Sequence, residues 1–114
     1  MNKKFELLLD DTITIFGIKL FRIKALISFG NVEEGEVGGY VEKEDNLGFY
    51  GNAWVSGDAR VYGNARVYGN AEVYDNAEVY GNAWVSGDAR VYGNARVYGN
   101  AEVYGNAWVS GDAR

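Results

Sequence analysis

From Gly51 to its last residue the chain is a six-residue unit written over and over. Ten copies of Gly-Asn-Ala-x-Val-Tyr follow one another without a gap, and an eleventh breaks off at Gly111-Asp112-Ala113-Arg114. Each copy supplies a strand of about four residues and a turn. In Ala65-Arg66-Val67-Tyr68 successive side chains point to opposite faces. Ala and Val share one face, and the x residue and Tyr share the other. The Ala/Val pair hardly changes between copies while x varies among Trp, Arg and Glu, so the Ala/Val face is the inside. Gly-Asn or Gly-Asp makes the corner, because both residue types tolerate the positive φ of tight turns. Asp75 replaces Gly at one corner. Sixteen Gly and no Pro would suggest disorder in an aperiodic chain, but here the Gly are periodic and mark structure.

The phase Val-x-Gly-Asn-Ala-x resembles the hexapeptide repeat of left-handed parallel β-helix proteins. That resemblance implies an all-β fold with three hexads per coil, so that 18 residues return the chain to the same face. Successive coils would pair as parallel strands about 4.8 Å apart. A left-handed crossover runs against the usual rule, and the hand comes from the resemblance alone. Pentapeptide helices need a different period, and calcium-binding nonapeptide solenoids need Asp in a Gly-rich nonad. Asp45-Asn46-Leu47-Gly48-Phe49-Tyr50 reads as the first hexad, with Leu47 and Phe49 inside. This gives a solenoid over residues 45–114, of nearly four coils. Its ten inner Val, from Val55 to Val109, each contribute about 1.5–3 kcal/mol on burial.

Residues 1–44 do not repeat. Phe5, Leu7 and Leu9 alternate, Asp10-Asp11 reads as a turn, and Ile13 and Ile15 alternate again. Gly17 interrupts, and the stretch Ile18 to Ile27 shifts phase at Leu20-Phe21, as a bulge would cause. The expectation is a small antiparallel β cap over the N-terminal end of the solenoid, since solenoid ends need covering. Phe21-Arg22-Ile23-Lys24-Ala25-Leu26 and Gly38-Gly39-Tyr40-Val41-Glu42-Lys43-Glu44-Asp45-Asn46-Leu47 are similar to the N-terminal segment of small hexapeptide-repeat proteins common in phages and prophages. The resemblance implies a phage or mobile-element origin and no single shared activity.

Much chemistry is excluded by composition. The chain has no His and no Cys, which removes thiolate and imidazole metal sites. The acyltransferases that this repeat resembles use a His general base, and the related carbonic anhydrases bind zinc through His. Long loop insertions that would shape a substrate pocket are missing too. Ice-binding solenoids display ranked Thr, and here the only Thr are Thr12 and Thr14. We therefore expect no enzyme, no cofactor and no metal. A net charge of −5 argues against direct binding of nucleic acid. The apolar run Leu7 to Leu9 is too short for a secretory signal, and no stretch could span a bilayer. The expected location is the cytoplasm, that of the host cell if the chain is phage-encoded.

At 18 residues per coil the outer positions stack in columns. Arg60, Glu78, Arg96 and Arg114 stand beside Tyr62, Tyr80 and Tyr98. Trp54, Glu72, Arg90 and Trp108 form a second column, and Gly48, Arg66, Trp84 and Glu102 a third. Such ladders stabilise the sheet by about 0.2–1 kcal/mol per pair. A rigid wall of Tyr, Trp and Arg is also the composition of binding hot spots. The candidate binding residues are thus Tyr62, Tyr80, Tyr98, Trp84, Trp108 and Arg96, with the unbroken Tyr column first. Residues 51–74 are identical to 81–104, an offset of 30 that is not a multiple of 18, which suggests recent duplication rather than one tuned site. Glu33, Glu34 and Glu36 form an acidic patch, a solvated loop or a docking site for a basic partner. The break in the last hexad predicts a homodimer through the C-terminal ends, with Trp108, Asp112 and Arg114 at the joint. The functional expectation is a non-enzymatic protein-binding module, one version being an inhibitor of a host defence nuclease in the manner of anti-CRISPR proteins. The alternatives are a structural or virion-assembly spacer and a degenerate hexapeptide acyltransferase.

Overall fold

A computed structural model describes residues 4–111, apart from the Tyr50 side chain. The chain opens with three longer strands, β1 (Phe5–Ile15), β2 (Ile18–Ala25) and β3 (Val37–Val41), then a single 3-10 turn at Glu44–Asn46. β4 (Leu47–Gly51) leads into the repeats. There the strands are β5 (Trp54–Val55), β6 (Arg60–Val61), β7 (Arg66–Gly69), β8 (Glu72–Val73), β9 (Glu78–Val79) and β10 (Trp84–Val85). They continue as β11 (Arg90–Val91), β12 (Arg96–Val97), β13 (Glu102–Val103) and β14 (Trp108–Val109).

The result is an all-β parallel solenoid of about four turns. Its three sheets run β1-β2-β3-β6-β9-β12, β4-β7-β10-β13 and β5-β8-β11-β14. Trp84 lies opposite Arg66 on one side and Glu102 on the other, and both steps are 18 residues (84 − 66 and 102 − 84). Most repeat strands are two residues long, shorter than the four expected, because the chain bends at Tyr, where a carbonyl such as that of Tyr80 accepts from Ala83 N. Pairing between coils nevertheless runs through the corners: Asn82 N donates to Gly99 O at 2.8 Å and Trp84 N to Ala101 O at 3.0 Å. Gly87 shows why a corner favours glycine. Its φ is +66°, and a Cβ there would lie 2.8 Å from the Gly105 nitrogen one coil on. Asp75 takes the same left-handed conformation at φ 61°, and its carboxylate accepts from Gly93 N at 3.1 Å.

The inner face is as the alternation predicts. Val55, Val61, Val67, Val73, Val79, Val85 and Val91 have no exposed surface, while Arg66 beside Val67 is exposed. Val103 and Val109 are partly buried and pack against this core.

The start of the solenoid differs from the sequence reading. The parallel ladder begins within residues 1–44, at β3, where Tyr40 lies opposite Arg60 and Val41 opposite Val61. Leu47 pairs with Val67, so it takes a Val position rather than the Ala position expected. Gly51 pairs with Gly69, so β4 uses four steps where β7 uses two (51 − 47 against 69 − 67). Gly48 falls beside Tyr68, not in the Arg66 column, and Phe49 meets Phe5 at 4.9 Å. Asn46 is fully buried at this entry. Its Oδ1 accepts from Glu42 N and Lys43 N, and its Nδ2 donates to Ala65 O at 2.8 Å.

The N-terminal strands are antiparallel to one another. Asp10-Asp11 is not the turn expected. β1 runs straight through it, and the register jumps from Leu8 opposite Arg22 to Thr12 opposite Phe21, leaving Leu9, Asp10 and Asp11 bulged out. The turn is Phe16-Gly17, both with positive φ (51° and 80°), as a two-residue hairpin loop requires. The apolar positions of β2 change face between Leu20 and Ile23, with no bulge in β2, and the extra residues on β1 let that strand follow the change. The change sends the two halves of the hairpin to different places. Phe5, Ile23 and Ala25 join the solenoid core, whereas Leu20 packs with Tyr40 and Tyr62, flanked by Ile13, Ile15, Ile18 and Tyr80. Half of the hairpin therefore lies along the outer face of the first sheet. Among the described residues no helix is long and apolar enough to cross a membrane.

Two buried titratable groups make stability depend on pH. Lys4 is 1% exposed; its Nζ donates to Ala53 O at 2.7 Å and sits 4.6 Å from the Phe29 ring centre. Burial pulls its pKa from 10.5 down to about 8. Between those values the unfolded chain holds the proton and the folded chain does not, so stability rises with pH. Tyr62 shifts the opposite way, pushed up to about 12 by burial first and then by Glu78. Above pH 10 the unfolded chain loses that proton first, and stability falls. Urea titrations should show a gain of roughly 2–3 kcal/mol from pH 8 to 10 and a decline beyond. Lys4→Met should remove the rise and keep the decline.

Candidate functional site

Because x and Tyr point outward from every strand, the surface is three columns of side chains carried on a fixed ladder. On the first sheet Tyr62, Tyr80 and Tyr98 stack, with ring centres 5.1 and 5.4 Å apart and planes within 10°. The Arg96 Nε stands 3.9 Å from the Glu78 carboxylate. This column was expected to be the foremost open recognition wall, and at Tyr62 it is not open. Tyr62 is 6% exposed beneath Leu20, and its hydroxyl donates to Glu78 Oε1 at 3.4 Å. The reason is the hairpin, which packs on this face through Leu20 as well as joining the core through Phe5 and Ile23. Tyr80 is half-buried and Tyr98 is exposed.

The second column also splits. Trp54 is buried, with Phe29 edge-on at 5.4 Å. Further along, Tyr74 stacks on Tyr92 at 5.1 Å, Arg90 pairs with Glu72 at 3.5 Å, and the Arg90 guanidinium stands 5.7 Å from the Trp108 ring. Trp108 is 65% exposed. Its proposed joint partners Asp112 and Arg114 lie outside the described residues.

The sheet β4-β7-β10-β13 carries an open aromatic surface. Trp84, Tyr68 and Tyr104 are all exposed, and the Tyr68 and Trp84 rings meet at 77° with centres 6.1 Å apart. Beside them, where Gly48 presents no side chain, is a cleft of about 320 Å³ between Phe49, Tyr68 and Trp84, with Glu44, Asp45 and Arg66 also in its lining. The sequence reading missed this cleft, because it placed Gly48 in the Arg66 column; Phe49 does pack against the core as expected, but it also lines this surface. The signal available was the departure of Gly48-Phe49-Tyr50 from the repeat. Along the adjoining corner Asn64, Asn82 and Asn100 pass hydrogen bonds from amide to amide at 3.2 and 3.4 Å.

Glu33, Glu34 and Glu36 are all exposed in the loop between β2 and β3. The loop is tight: Glu33 N donates to Glu36 Oε1, Glu34 N donates to Ser28 Oγ, and Gly35 has φ 90°. The acidic patch thus belongs to the N-terminal strands and not to any column. Arg22 is a further residue that the sequence reading did not single out. Its guanidinium donates to Gly38 O at 2.9 Å and Tyr40 Oη at 2.6 Å, and lies 3.6 Å from Asp11 and 3.7 Å from Asp58. It ties the β1 bulge, β3 and a corner of the first full coil together. Among the described residues no group of three or more His, Cys, Asp or Glu side chains is placed to hold a metal ion.

A family profile described as "YdcK Beta solenoid repeat" matches three segments, residues 59–73, 71–87 and 89–103. No characterised protein matches the chain. All three segments fall on the stacked coils between β6 and β13, so the profile and the fold agree that this is a repeat β-solenoid protein.

Proposed function

We propose that the chain is a non-enzymatic protein-binding module that acts by occupying a surface of its partner. The observation that carries this reading is the set of large aromatic side chains left open on a rigid ladder: Trp84, Tyr98, Tyr104 and Trp108 are between 43% and 68% exposed. Rings held by a backbone ladder give large contact area at low entropy cost, and Trp, Tyr and Arg dominate binding hot spots. The reading includes a left-handed winding, the N-terminal hairpin as the cap of the solenoid, and an origin among phage or prophage repeat proteins acting in the host cytoplasm. Inhibition of a host defence nuclease is its most concrete version. The end-to-end homodimer belongs to the same proposal. Trp108, its one described member, is open, and light scattering at micromolar concentration reads the state directly.

Affinity capture with the intact chain tests the reading. A stoichiometric protein partner should be recovered, and Trp84→Ala or Trp108→Ala should weaken its binding by about 2 kcal/mol or more with folding retained. Retention by both variants, with loss only when Glu33, Glu34 and Glu36 are neutralised, would move the site to the N-terminal loop. The stacked Tyr and Arg–Glu pairs favour a second reading, a structural spacer. Recovery of the chain only in assemblies of itself or of virion parts would support that instead.

A further inference from the structure

We propose that the cleft at the entry of the solenoid binds a quaternary ammonium group. Three aromatic rings line this one space of about 320 Å³: Phe49, Tyr68 and Trp84. Two of them stand at 77° to each other with centres 6.1 Å apart, which gives the space two differently oriented walls. Cations are drawn to the faces of such rings, Trp most strongly, and trimethylammonium groups are the ligands best suited to several rings at once. Glu44 and Asp45 supply two carboxylates to the same lining, and Arg66 supplies one guanidinium. The nearby Lys43 directs its Nζ to Asn64 Oδ1, at 3.4 Å. The whole chain is acidic as well, at −5, which favours the approach of a cation.

The alternatives fit this space less well. An anion would meet two carboxylates. A primary ammonium is strongly hydrated and would shed that water against the Phe49, Tyr68 and Trp84 rings. A neutral apolar group would suit the rings but draw nothing from the acids. A trimethylated cation is bulky, weakly hydrated and charged, and so uses both parts of the lining. The cleft exists because β4 departs from the repeat: Gly48 replaces a side chain beside Tyr68, and the two extra steps of β4 bring Phe49 out of register. Among the described residues the other parallel pairs of the ladder show no such register shift. The cleft shares Trp84 with the outer column assigned to a protein partner, and the titration below is made on the chain alone so that it reads the cleft by itself.

The test is a titration of the full chain with choline and, separately, with free Nε-trimethyllysine, followed by NMR shifts of the Trp84 indole and the Gly48 amide. The control is the neutral carbon isostere of choline, in which tert-butyl replaces trimethylammonium. Both cations should shift Trp84 and Gly48 and leave the Trp54 indole unmoved, and the isostere should bind roughly tenfold more weakly, the ratio that a cation–π difference of this size gives. The tighter of the two cations assigns the source, a headgroup-type choline or a modified side chain. Trp84→Ala should weaken binding roughly tenfold, with Trp84→Phe intermediate as a check that the fold persists. Asp45→Asn should weaken it and Arg66→Ala strengthen it. Equal binding of the isostere, shifts centred on Trp108 instead, or no shift at saturating millimolar choline would each overturn the proposal.

Discussion

Val67→Asp should unfold the chain at neutral pH, whereas Arg66→Ala, one residue away, should leave its melting temperature almost unchanged. Val67 has no exposed surface and sits between Leu47 and Val85 in the stack of the second sheet. The substitution first removes the burial of a Val, about 1.5–3 kcal/mol. It then places a carboxylate among apolar side chains, at a further cost of several kcal/mol. The sum, on the order of 5 kcal/mol, matches the low end of the whole stability of a domain, about 5–15 kcal/mol. Arg66 is exposed and its truncation should fall within about 0.5 kcal/mol. Circular dichroism melts of the two variants decide the matter. Similar losses in both would mean that the alternation of inner and outer positions is misassigned.

That contrast also marks where the sequence was readable. In the repeats, the constancy of Ala and Val against the variety of x separates inside from outside, and the 18-residue register brings Arg66, Trp84 and Glu102 into one column. The same logic fails before residue 51. Alternation in β1 and β2 says that a strand has two faces, but it does not say what each face meets. Leu20 and Ile23 are both buried, yet one packs on Tyr40 and Tyr62 and the other joins the Val/Ala core. Three residues apart, they face opposite ways, and the bulge at Leu9, Asp10 and Asp11 lets Ile13 and Ile15 stay with Leu20 while Phe5 and Leu7 stay with Ile23; two adjacent Asp look like a turn in sequence. The candidate site suffered the same way. Tyr62 shares its hexad pattern with Tyr98, but the hairpin covers one and not the other. The cleft of Phe49, Tyr68 and Trp84 depends on a shift of register that a period of six cannot announce. Arg22 was equally silent, since its partners Asp11, Gly38, Tyr40 and Asp58 come from three separate segments.

Gly38→Val should detach the N-terminal strands from the solenoid, with a loss of stability second only to that of Val67→Asp. Gly38 is buried in β3, the strand that joins the antiparallel hairpin to the parallel ladder. A Cβ on it would lie 2.4 Å from the Val55 carbonyl oxygen, 2.7 Å from the Trp54 ring and 2.8 Å from Ile23 Cγ1. Gly39 is similarly confined, 2.7 Å from Ala59 O. A carbonyl held in a ladder cannot swing aside as a flexible side chain can, so β3 itself must move. Overpacking of this kind costs typically 1–3 kcal/mol. Here the displacement also loosens the Arg22 bond to Gly38 O, and a charged hydrogen bond adds about 1.5–3 kcal/mol. The expected total is about 3–5 kcal/mol. Val37, the neighbour on the same strand, is 48% exposed, so Val37→Ala should be nearly silent. Hydrogen exchange gives the most specific readout. In Gly38→Val the amides of β1 to β3 should lose protection while Glu72 to Val91 keep it, and Trp54 should become solvent-accessible. Uniform loss along the whole chain would mean instead that hairpin and coils unfold as one unit. Full retention would mean that the close approach at Gly38 does not hold them together.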